Sequence, residues 1–345
     1  MITPQQFDPL AGTTGYDSTA AITAAIAATP SGGKLYIPGT ASGYLVSNGF
    51  TITQPINIDG DGDATLFTGN LPANTDLFHL AIPADTVVRD FSFTKMQFTV
   101  NNARSWFNID TTAAPGTYLA GLRIADILAP ISPIYFGIWA NGLANGAGLS
   151  QAEFERCQLT VDGPAPKACF NLQNVGDSIR IKDGLMTGTG YGLALAQVSG
   201  AGSFSLDGTN ITSLGGIVVQ SAIEPIFQNF EIELATSNLL TGSGMSGYCV
   251  TGAGIFLDAC DGGSIGPGQI QALSGCNNFY EAIYLDNTRN VAIDAMRFSS
   301  EVGGLALNIS ASASSTRIGM NNAFLGFGSP IIADNGYATN YASAT

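Results

Sequence analysis

Five carboxylates and two aromatic residues are the side chains in this sequence whose types and spacing suggest chemistry. Asp207 closes the segment SFSLD, and Glu231 and Glu233 alternate within NFEIEL. In an extended chain, residues two apart share a face about 6.6 Å apart, so Glu231 and Glu233 point the same way. If the two segments lie on adjacent rungs of a parallel sheet, about 4.8 Å apart, Asp207 stacks directly under Glu233. Like charges stacked in register repel, and the repulsion raises one pKa, which makes a general acid. Carboxyl pairs about 5–5.5 Å apart serve retaining glycoside hydrolysis, and pairs about 6.5–9.5 Å apart serve inverting hydrolysis. Asp207 with Glu233 suits the first separation, and Glu231 with Glu233 the second. The competing account is a solvated acidic face on an acidic protein.

A second set lies in GIFLD and AIYLD. Asp258 and Asp286 close these segments, and Phe256 and Tyr284 precede them by two residues, on the same face. Two outward rings beside two acids would form a platform on which a sugar stacks between an acid and a base. The alternative is an interface or loop that buries the rings, with the aspartates closing turns.

Both sets need the chain to lay one turn over the next, and the repeat predicts this. GIFLDACDG, AIYLDNTRN and GLALNISAS carry one pattern, closed by Asp258, Asp286 and Asn308. The same apolar, any, apolar, polar strand is closed by Ala81, Asp110, Asn141, Gln173, Ala196, Gln220 and Asp334. A strand recurring every 20–40 residues with turns between is the mark of a solenoid, in which each coil buries its apolar face on its neighbours. A second strand runs between these: AEFER, SIRIKD, SFSLDG, NFEIEL, SIGPGQI, NVAIDA and STRIGM. The step from Gln220 to Asp258 is the longest and predicts an extra loop over residues 237–254. The fold expected is all-β, a single-stranded right-handed parallel β-helix. One strip of apolar residues, Val218, Phe256, Tyr284 and Ile332, is expected on an outer face, where it suits burial against a partner.

Composition agrees. The 345 residues include 43 glycines but only 11% charged residues, which suits short strands with tight turns. The net charge of −14 and twelve Lys and Arg argue against nucleic acid and anionic membranes, whose phosphates need basic patches. Apolar runs fall short of a membrane span. The start, MITPQQF, lacks a basic then apolar leader, so no signal peptide is expected. Five cysteines without a CxxC pair read as buried free thiols.

Residues 17–28, DSTAAITAAIAA, read as a short helix capped by Asp17 or Ser18, with Ile22 and Ile26 on one face. PSGG ends it, and KLYIP, YLV and ITQPINIDGDG follow. This run, residues 17–62, resembles the N-terminal segment of pectate-lyase-like β-helix proteins, especially phage tailspikes and polysaccharide depolymerases. The resemblance implies a helix that caps the open end of the solenoid, a bacterial surface polysaccharide as partner, a homotrimer, and a place on a virion tail after folding in the host cytoplasm. It carries no catalytic residue. The upstream run is reduced to AGTTGYDST, a departure from the family pattern. The organisation expected is a cap with its first strands over 1–62 and one β-helix body over 63–345.

Other motifs fall away. IDGDGDA spaces aspartates like a Ca²⁺ loop, but Ala64 and Asn70 stand where glycine and glutamate are needed. His79 is the only histidine, so neither a His-rich zinc site nor a Ser-His-Asp triad is expected, and no metal or cofactor is implied. A uronate lyase would use clustered Arg and Lys, and only isolated ones are present. The function expected is endo-hydrolysis of a bacterial surface glycan by paired acids. A glycan-binding adhesin or structural virion part is the alternative from another class, and a polysaccharide lyase is the third.

Overall fold

The computed structural model describes residues 1–143, 148–162, 167–188, 196–199, 203–213, 216–234, 253–274, 276 and 280–341. These form short parallel strands and one α-helix, α1, at Thr19–Ala28. The architecture is a parallel β-helix, as the repeat predicted. Two compact units divide it: Met1–Thr160 with Asn174–Gly176, and Val161–Gln173 with Asp177–Thr345.

The first unit begins with the cap. Ser18 occupies the position before α1, but its hydroxyl accepts the Gly12 N–H; Asp17 instead accepts the Thr19 N–H at 3.0 Å. Ala21, Ile22, Ala25 and Ile26 are the buried stripe. Phe50–Ile52, Phe78–Ala81, Ser105–Thr111 and Phe136–Gly142 then stack as one sheet. Its register carries Ala81, Asp110 and Asn141 in one column, as the closing residues predicted. Inside, rings follow rings: Phe78 and Phe107 are stacked at 5.4 Å, and Phe67, Phe93 and Phe98 pack around them.

The opposite wall turns a corner that the sequence pattern did not reveal. Ser92–Asn101 pairs with Asn57–Asp59 through its first half and with Leu66–Asn70 through its second. Lys95 lies between, at φ 61°, and Asp126 and Arg156 hold φ 56° and 50° at corresponding places. One left-handed residue thus bends each coil into two short strands.

In the second unit the same corner separates two columns. The first column stacks Ile179–Lys182, Phe204–Asp207, Ile226–Gln228, Ser264–Ile265, Ala292–Ile293, Arg317–Ile318 and Asn340–Tyr341. The other stacks Leu185–Thr187, Asn210–Ser213, Phe230–Leu234, Gly268–Ala272, Met296–Ser300 and Ala323–Leu325. Gly208, Asn229 and Ala295 hold the left-handed corner. The expected rung NFEIEL over SFSLDG is therefore incorrect. The short segment Ile226–Gln228 lies over Phe204–Asp207, and NFEIEL belongs to the other column.

The third face stacks Ala196–Ser199, Ile217–Gln220, Ala253–Asp258, Glu281–Asp286, Leu305–Ile309 and Ile332–Asp334. Gln220, Asp258 and Asp286 are in register as predicted, but Asn308 lies beside Tyr284 rather than Asp286. The apolar strip also differs from expectation. Val218 and Phe256 are buried, and Ile332 pairs with Leu307, outside that column. The loop expected at 237–254 lies outside the described residues except for Ala253 and Gly254. Cys157, Cys169, Cys260 and Cys276 are buried; Cys249 lies outside the described residues.

Candidate functional site

The corner separates the first set of acids. Asp207 stacks on Gln228, not Glu233. Its two oxygens accept the side-chain amides of Gln228 and Asn229, both at 2.9 Å. Those amides, Asn229 first, hold the Asp207 carboxyl below the usual range, with Lys182 adding a favourable charge. Asp207 is thus a stapled corner carboxylate with no acid above it. Glu233 lies between Thr212 and Gln271, and Glu231 between Asn210 and Gln269. Glu231 and Glu233 share an outward face, as alternation required, but each is flanked by neutral polar neighbours rather than a stacked acid.

The second set is brought together as expected. Asp258 lies over Asp286, and Phe256 over Tyr284, on the third face of the second unit. The two rings stack, with centroids 5.1 Å apart and planes 22° apart. Phe256 is only 2% exposed and Tyr284 half-buried, so Phe256 backs Tyr284 rather than forming a second open platform. The Asp258 carboxylate accepts the Gln220 side-chain amide at 3.2 Å. Asp286 accepts two hydroxyls, Ser310 at 2.7 Å and Ser312 at 2.6 Å.

Sequence reasoning missed a further acid on the same strand. Glu281 heads the strand EAIYLD and is 7% exposed. Burial pushes its carboxyl up to about 7, and a hydrogen bond to the Asn308 side chain opposes part of that rise. Tyr284 registers the whole cluster: burial raises its pKa first, then the charges of Asp286, Glu281 and Asp258. Three carboxyl groups therefore lie within electrostatic reach of one phenol. Gly254 lets the rungs close here, since a Cβ on it would meet the Ala282 carbonyl oxygen and Ile270 at 2.8 Å. The available signal was a charged residue at the head of a strand whose rung neighbours are Ala253 and Leu305. Among the described residues, no three His, Cys, Asp or Glu converge as metal ligands.

A buried acid that holds its proton near neutrality is a group that general-acid chemistry uses. No protein-family model matches the sequence, and no curated protein matches it. Solved structures do share its backbone. The A-module of mannuronan C-5 epimerase AlgE4 from Azotobacter vinelandii superposes with a TM-score of 0.66, over 99% of this chain and 100% of its own, at 14% identity. The chain has the right-handed parallel β-helix fold. DFA-IIIase from Arthrobacter chlorophenolicus A6, solved without its lid and in complex with GF2, has a TM-score of 0.61, over 100% of this β-helix and 99% of its own chain, at 12% identity. PfbA, a surface adhesin of Streptococcus pneumoniae, has a TM-score of 0.60, over 99% of the β-helix and 90% of its own chain, at 10% identity. Identities this low establish a common fold, and fold does not specify function. Among the described residues no helix is long and apolar enough to cross a membrane.

Proposed function

We propose that this β-helix is a polysaccharide depolymerase that hydrolyses a bacterial surface glycan at the Glu281–Tyr284–Asp286 face of the second unit. The observation that carries the reading is the buried Glu281, its carboxyl pushed up to about 7, on the strand that also bears Tyr284 and Asp286. Glu281 donates its proton to the departing glycosidic oxygen. Asp286, held by Ser310 and Ser312, is the partner that attacks the anomeric carbon or activates water, with Asp258 one rung away. Tyr284, backed by Phe256, is the ring on which the sugar rests.

The likeness of residues 17–62 to tailspike N-terminal segments supports a place on a virion tail and a trimeric assembly. The names of the fold neighbours, an epimerase of mannuronan and a surface adhesin among them, fit a role with glycans at a cell surface. Binding without cleavage is the second reading, and the hydrogen bonds that already occupy Asp286 favour it. Release of new reducing ends from purified capsules and O-chains separates the two. Wild-type protein should release them and Glu281→Gln should not. Glycan binding without product in the wild type supports the adhesin reading, and ultraviolet-absorbing unsaturated ends would indicate a lyase.

A further inference from the structure

We propose that the first unit carries a second carbohydrate-binding site, built on Trp139 and Tyr135, that takes a pyranose ring of a neutral glycan. It shares with the proposed function the premise that the ligand is a glycan. Its residues and its test are independent of the acids around Tyr284.

Trp139 faces outward from the strand Phe136–Gly142. Its column runs through Thr51, His79 and Asn108 on the preceding rungs, all of them polar. A half-buried indole interrupts that polar column. Above it lies the Arg104 guanidinium, 5.0 Å from the ring centroid. Arg104 is itself clamped by Asp76, which accepts its Nε at 2.8 Å and also its Nη2. Asp76 is 5% exposed and accepts two further donors, Ser105 Oγ and Asn108 Nδ2. A buried carboxylate with four donors does not release its partner cheaply, so Arg104 stays over the indole.

The ring run continues outward. Phe136 packs against Trp139 at 5.4 Å, and Tyr135, 38% exposed, lies 6.2 Å from Phe136. Trp139, packed between Arg104 and Phe136, is held in place, which removes an ordering cost that binding would otherwise carry. Two of the five guanidinium N–H groups face Asp76, and three remain to donate to sugar hydroxyls. Tyr135 and the part of Trp139 that Arg104 leaves uncovered offer apolar surface to a sugar, and the fixed guanidinium over the indole supplies donors beside it, which is the composition of a small-molecule site. The charge selects the class. Arg104 is neutralised by Asp76, and a chain of net charge −14 repels polyanions, so a neutral sugar is favoured over a uronate.

The chain has two tryptophans, and Trp106 is fully buried, so ligand-induced emission changes report Trp139. Maltohexaose, cellohexaose, mannohexaose and hexagalacturonate are titrated into the full chain and into Glu281→Gln. At least one neutral hexasaccharide should perturb the emission of both proteins, insensitively to salt. Trp139→Ala should weaken its binding about tenfold by calorimetry. Tyr135→Ala, at an exposed position, should also weaken it and carries the test if Trp139→Ala fails to fold. An emission unchanged by every neutral hexasaccharide overturns the site, as does a response to hexagalacturonate alone, or native-strength binding in both folded variants. If Glu281→Gln still releases product while the neutral sugars perturb Trp139, the proposed catalytic role fails and this site stands.

Discussion

Replacing Glu281 with Gln removes one ionisable group and almost no volume, so its effects report that group's ionisation. Burial pushes the folded carboxyl up to about 7, from an ordinary value of 4.5. At about 1.36 kcal/mol per pH unit, the difference amounts to roughly 3 kcal/mol. The sign follows from proton counting. Between the two values the folded state holds a proton that the unfolded state has lost, so stability falls as pH rises through this window. Above pH 7 the wild type carries the full cost of burying the charge, and below pH 4.5 it carries none. Glu281→Gln should therefore be more stable than wild type by roughly 3 kcal/mol at pH 9 and equal to it at pH 4. For a unit of about 150–250 residues each kcal/mol moves Tm by about 2–4 °C, so the gap at pH 9 should be roughly 6–12 °C. Thermal melts followed by circular dichroism at pH 4, 7 and 9 measure it. Product release should fall as wild type is taken above pH 7, and by about 10²–10⁴ in the variant. A Tm gap of equal size at pH 4 and pH 9, or a less stable variant at pH 9, would refute the reasoning, because the carboxyl would then not be neutral in the fold.

Asp207→Asn should leave product release unchanged, since no second acid faces Asp207, and should lower Tm slightly at neutral pH; its folded pKa is depressed, so that difference should vanish as pH falls below the depressed value. Phe256→Ala should destabilise the second unit by about 3–5 kcal/mol, because it empties a buried ring site, whereas Tyr284→Ala, half-buried, should weaken glycan binding more than it lowers Tm in the same melts. Asp76→Ala should cost about 3–5 kcal/mol by leaving Arg104 without its counter-charge, and an Arg104→Ala, Asp76→Ala double variant should recover part of it in denaturant titrations. Burial pushes the thiols of Cys157 to about 12 and Cys260 to about 11, so both should resist iodoacetamide in native protein at pH 8 and react once it is unfolded, as peptide mapping would show.

The repeat was legible because stacking imposes it residue by residue. Gln220, Asp258 and Asp286 occupy one column because each closes a strand whose apolar residues must enter the same core. The helix at residues 19–28 was legible for a local reason: alanines and isoleucines four apart, followed by a proline. The wall bearing Asp207 and Glu233 was misread because Ile226–Gln228 is three residues long and carries no alternation to recognise. Asn229, a single left-handed residue, then begins a new strand. A corner made by one φ angle leaves almost no trace in a hydrophobic pattern, yet it moves an acid to another column.

By itself, then, the sequence determined the solenoid, the capping helix, and the register that pairs Asp258 with Asp286 and Phe256 with Tyr284, since these follow from periodicity and the need to bury alternate residues. Only the tertiary structure decided which acids meet. Burial of Glu281, its bond to Asn308, and the shielding of Phe256 depend on what neighbouring coils place over them, and a carboxyl's proton affinity is set by that surrounding medium rather than by its place along the chain.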